Sequence, residues 1–179
     1  MSHAVDQFLR AVVTDQSWVF PEVPGRDLLI HEYLLPGEFP AKVSITIIAF
    51  KQWQQGQVDA WISRIAQEGI PQTPHGCTDL DQVILELPVI SGRYQVVRRF
   101  IDGGMAASIR DPEVLARTIT LYGSVDRFCS PLGISSREDV SVRVVRRDGS
   151  VVWGTTGRVS EPGIVDLLVA LGGIDPSAQ

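Results

Sequence analysis

Residues 43–50, VSITIIAF, make a nearly unbroken apolar run rich in β-branched side chains. A strand of that kind carries apolar groups on both faces, so a covering layer is needed on each side. Directly after it the period changes. Val58, Trp61, Ile62, Ile65 and Ala66 fall at helical spacing, and Gly69 is placed to stop the helix as a C-cap. A doubly buried strand feeding an amphipathic helix narrows the choice to α/β architectures with a parallel or mixed sheet.

The flanking sequence extends the same alternation. Ala4, Phe8, Val12 and Val13 predict a short N-terminal helix. The stretch FPEVPGRDLLIHEYLLPGEFPAK is so dense in proline and glycine that it predicts one short strand, over Leu28–Tyr33. After the helix come a strand at Val83–Val89 and a helix capped by Ser91 with Tyr94, Val97, Phe100 and Ile101 on its apolar face, stopping at Gly103-Gly104. A strand at Thr118–Tyr122 and a short helix closed by Gly133 follow. VSVRVVRRDGSVVWG then alternates around Asp148-Gly149, which predicts a β-hairpin with a type I′ turn. Ser160 caps a last helix, with Pro162 in its first turn, Ile164, Leu167, Leu168 and Leu171 on its buried stripe, and Gly172 past its end. Strand–helix alternation implies parallel pairing with right-handed crossovers, and the hairpin adds an antiparallel edge.

Composition bounds the function. The 179 residues are 44% hydrophobic and 21% charged, enough for one domain with a full core. The net charge of −5 disfavours nucleic acid, because phosphate binding needs concentrated basic surface. The pairs Arg98-Arg99 and Arg146-Arg147 read as solvated edges. No apolar run reaches membrane-spanning length, and MSHAVDQFLRAVVTDQ offers no export-type apolar core. Cys77 and Cys129, far apart in sequence, fit a reducing compartment, and a cytoplasmic location is expected. No glycine-rich phosphate loop or GxSxG elbow is present. His75, Cys77, Asp79, Asp81 and His31 lack the paired spacing of a zinc site, so neither metal nor cofactor is expected.

The ordered phrases FPEVPGRDLLIHEYLLP, SITIIAF, LYGSVDRFCSPLGI and VSVRVVRRDGSVVWGTTGRVSEPGIVDLL resemble the peroxiredoxin-like branch of the thioredoxin-like proteins. The last two phrases look closest to mitochondrial ATP-synthase assembly factors, thioredoxin-like proteins without a redox pair. The resemblance implies a three-layer α/β/α fold with a mixed central sheet and a C-terminal β-hairpin plus helix. It covers roughly Phe20 to Gly172, so the domain is expected over 20–173, with the N-terminal helix and lead-in over 1–19 before it and a short tail over 174–179 after it.

The resemblance also locates a site. Trp53-Gln54-Gln55-Gly56-Gln57 overlays the Trp-Cys-x-x-Cys segment of the family, which puts Gln54 and Gln57 where the two sulfurs stand. The family's facing cis-proline precedes the hairpin; here that approach reads SREDVSV, with Asp139 near its place. Thiol–disulfide exchange needs an activated thiolate, and a carboxamide has neither a nucleophilic nor a titrating atom. Read without the resemblance, Gln54–Gln57 are a polar helix start, and the chemical consequence is the same. Trp53, Gln54, Gln57 and Asp139 are therefore the candidate functional surface of a redox-inactive module whose partner is another protein. Self-association as a homodimer is left open. Cys129 reads as a packing residue and Cys77 as a loop thiol. The rival reading makes one of them the reactive group of an oxidoreductase or peroxidase.

Overall fold

The computed structural model describes residues 17–72, 80–91 and 111–174. Strands β1 (Val23–Asp27), β2 (Glu32–Leu35), β3 (Ala41–Ala49), β4 (Leu80–Ser91), β5 (Ile119–Gly123), β6 (Ser141–Arg146) and β7 (Val151–Thr156) form one sheet. Helices α1 (Gln55–Ala66), α2 (Pro112–Arg117), α3 (Val125–Cys129) and α4 (Glu161–Gly172) accompany them. The strand order is β2-β1-β5-β4-β3-β6-β7. β3 runs parallel to β4, and β4 parallel to β5, while β6 pairs antiparallel with β3 and β7. The most apolar strand of the sequence thus lies near the centre of the sheet, between β4 and β6.

Two apolar layers explain why β3 is apolar on both sides. Val43, Ile45 and Ile47 pack with Val58, Trp61, Ile62 and Ile65 of α1 and with Ile164, Leu167 and Leu171 of α4. On the opposite face Ile48 joins Val83, Leu85 and Leu87 of β4, Phe128 and Cys129 of α3, and Phe20 and Phe39. Phe20 meets Phe39 and Phe128 edge-on, with ring centroids 5.2 and 5.4 Å away. The Trp61 indole N–H donates to the Gly157 carbonyl at 2.9 Å, and Arg64 joins α1 to Glu161 of α4.

Three expectations change. The single strand over Leu28–Tyr33 is replaced by the β1–β2 hairpin, whose link occupies Leu28–His31. Gly25 makes β1 possible, since a Cβ there would lie 2.8 Å from Ile119. The Asp27 carboxylate shapes the link by accepting the Leu29 and His31 backbone N–H groups at 2.9 and 2.8 Å. The turn between β6 and β7 is not type I′. Among the described residues only Gly149 of that turn has positive φ, at 90°, and the Gly149 N–H donates to the Arg146 carbonyl. The Arg146 N–H donates to the Ser150 carbonyl, which closes a three-residue loop of a type I turn ending in a glycine bulge. Finally, Gly172 is the last residue of α4 rather than the first beyond it. The predicted helices near residues 4–13 and 94–101 lie outside the described residues.

Candidate functional site at the end of the central strand

At the C-terminal end of β3 the chain leaves the sheet through Phe50 and Lys51. It makes one 3₁₀ turn over Gln52–Gln54 and enters α1 at Gln55. The chain needs polar partners here, because the exit from the strand leaves backbone N–H groups with no ladder. Gln54 supplies them. Its side chain is fully buried, and its Oε1 accepts the Phe50 and Lys51 N–H groups at 2.8 and 3.1 Å. Its Nε2 donates to the Arg137 carbonyl at 2.9 Å, across 83 residues of sequence.

Gln57, one turn along, repeats the device. Its Nε2 donates to Asp139 Oδ1 at 3.0 Å, while its Oε1 accepts the Val140 N–H at 3.2 Å. The two carboxamides therefore cross-link the strand-to-helix turn to the loop that leads into β6. Gln54, Gln57 and Asp139 are brought together, and Gln54 and Gln57 use both ends of their amides in doing so. An amide holds two backbones in register this way because it donates and accepts from one planar group.

Trp53 points away from this clamp and is 59% exposed. The Lys51 ammonium lies 5.7 Å from its ring centroid and also pairs with Glu138. Lys51, Arg137 and Glu138 were not singled out in the sequence. Only the loop's position before the hairpin hinted at the last two.

The thiols are placed differently. Cys129 ends α3 and is 3% exposed, on the face of the sheet opposite α1. Burial pushes its thiol up from the ordinary cysteine range, with the nearby Arg137 guanidinium opposing that push. Cys77, together with His75 and Asp79, lies outside the described residues. Asp81 pairs with Lys42 at 3.2 Å, and His31 Nδ1 lies 3.0 Å from Asp27 Oδ2, so these two side chains serve separate local contacts.

A buried cation lies within β6, opposite Thr46 of β3. Arg143 of β6 is 2% exposed and donates to the carbonyls of Leu132, Val142 and Thr155, with Trp18 stacked 4.7 Å from its guanidinium carbon. Desolvation pushes it down to about 10. β6 is buried on both faces, and Arg143 shares the phase of Val145, towards the layer with Leu132, while Val142 and Val144 face the α1 layer.

The chain matches no protein-family model and no curated protein. Among solved structures it is similar to BsSco, a member of the Sco family of cytochrome c oxidase assembly proteins. That likeness has 13% identity, a TM-score of 0.52, and coverage of 88% of this chain and 96% of the other. It is also similar to Etrx1, the pneumococcal exposed lipoprotein thioredoxin of Streptococcus pneumoniae, at 12% identity and TM-score 0.51 over 83% of this chain and 98% of the other. At such identities the likeness is one of fold. The chain has a thioredoxin-like α/β/α architecture, with a mixed seven-stranded sheet and a C-terminal hairpin and helix.

Proposed function

We propose that this chain is a redox-inactive thioredoxin-like domain that works by binding another protein through the surface around Trp53. The observation that carries this reading is the use of both Gln54 and Gln57 amides as structural cross-links of the turn that carries the exposed Trp53. A carboxamide cannot accept or release an electron pair as sulfur does, so exchange chemistry has no atom to act through at these two positions. A large aromatic held on a rigid, polar-clamped turn is the kind of side chain that anchors protein interfaces. BsSco, with its disulfide switch, belongs to a family of cytochrome c oxidase assembly proteins, and the resemblance to ATP-synthase assembly factors, which lack a redox pair, supports the contact half of this reading.

The test places a photo-crosslinking amino acid at the exposed Gln52, beside an intact Trp53, in the full chain in its native host, with the same group at Val165 as control. The reading predicts a defined adduct from position 52 alone, competed by added wild-type protein and not by the Trp53→Ala variant. Equal competition by both, or adducts from Val165 only, would remove this surface from consideration.

A further inference from the structure

Glu86 is a carboxyl group in the middle of β4, 4% exposed, opposite Ile47 of β3 and bridged to Thr118, the residue between α2 and β5. Two residues after Ile84, it faces the layer that contains α1. Two side chains hydrogen-bond to it, the Gln55 amide from α1 and Thr118 Oγ1, which lies 3.2 Å from Oε2. The same hydroxyl lies 2.8 Å from the Val114 carbonyl oxygen. A threonine hydroxyl has one hydrogen and lone pairs to spare, and a carbonyl oxygen can only accept. At 2.8 Å, the usual length of such a bond, the hydrogen belongs to the Val114 contact. Thr118 then presents lone pairs to Glu86, and that contact is attractive only when Glu86 carries the hydrogen.

The surroundings include an unused alternative. Arg117 is 9% exposed and donates from Nη1 to Gln72 Oε1, while its Nε is buried without an acceptor. From α1, Asp59 contributes a negative charge and Gln55 an amide, which donates to Asp59 Oδ1 at 3.0 Å. Among the described residues, Asp59 and Arg117 are the charged groups that act on Glu86.

We propose that Glu86 is held as the neutral acid donating to Thr118, and that its deprotonation is a pH-sensitive latch transferring Arg117 from Gln72 to the new carboxylate. The unsatisfied Nε is the donor that the second state would use. The exchange would also place a second anion beside Asp59, beneath the first turns of α1. Burial independently raises the Glu86 carboxyl above the ordinary glutamate range and Asp59 adds to that, against the opposing Gln55 amide and Arg117 charge. A donating Thr118 would pull the same way as those two; the hydrogen count makes it an acceptor instead. This inference is independent of partner binding at Trp53.

The experiment is a side-chain carboxyl ¹³C NMR titration of the full chain, with Glu86 assigned by through-bond correlation, so that no Glu86 variant has to fold. The Arg117 Nε ¹⁵N–H resonance is followed in parallel. The proposal predicts a Glu86 midpoint above the ordinary glutamate range and an Arg117 Nε shift with the same midpoint. It also predicts that Thr118→Val lowers the Glu86 midpoint by removing the acceptor of the acid's proton. A midpoint at or below the ordinary range overturns it. So does a rise in Thr118→Val, which would show the hydroxyl donating to a carboxylate, or an Arg117 resonance indifferent to the titration.

Discussion

Gln54 does what a catalytic thiol at the same place could not, because one planar amide ties the end of β3 to the loop before β6. Gln54→Ala leaves the Phe50 and Lys51 donors and the Arg137 acceptor without that partner. Chemical denaturation should show a loss of about 2–3 kcal/mol, on the scale of the desolvation penalty for orphaned polar groups. Tyr33 gives a pH prediction of definite sign. Burial, with Asp27 adding its charge and a hydrogen bond, pushes its phenol up to about 12. The folded state therefore holds its proton where an unfolded tyrosine, near 10, has lost it. The stability Tyr33 contributes is complete below about pH 10 and is lost as pH rises towards 12. Melting curves of Tyr33→Phe across that window should fall less steeply than those of the wild type. The polar character of positions 54 and 57 was legible in the sequence. Asp139 is reached only through the family resemblance, and the Arg137 carbonyl and Val140 N–H not at all, because both backbone partners lie 83 residues away.

Among the elements, the two hairpins show where local sequence signals stop. Asp148-Gly149 marks a turn correctly, but a dipeptide does not state loop length. With Arg147 included, the loop has three residues and only the glycine needs the left-handed region. Gly149→Ala should cost more than about 1 kcal/mol, since a Cβ there meets left-handed strain and Pro36 Cγ at 3.1 Å. In the β1–β2 link, Ile30 holds φ of 69° with its side chain in solvent, a poor choice for a β-branched residue. Ile30→Gly should raise stability by up to about 1 kcal/mol in denaturant titrations, less the added unfolded-state entropy. The Leu28-Leu29-Ile30 run looked like a strand because apolar content imitates one. Asp27, by capping the backbone N–H groups of Leu29 and His31, turns it into a link instead.

For the whole molecule, the doubly apolar character of Val43–Phe50 carried most of the fold, since it demanded a layer on each face before any resemblance was invoked. Both layers are present, α1 with α4 on one side and α3 with the Phe20–Phe39 cluster on the other. The α4 stripe tests their weight. Leu167→Ala should cost about 2–5 kcal/mol, while the exposed Val165→Ala should stay within about 0.5 kcal/mol. The site was less legible than the layers, because a surface is defined by which loops meet at the end of a strand. The most direct measurement is turnover of hydrogen peroxide and of a dithiol–disulfide substrate by the fully reduced full chain, beside a Cys77→Ser, Cys129→Ser double variant. The account predicts identical background rates for the two proteins. Turnover that the wild type sustains and the double variant loses would contradict it.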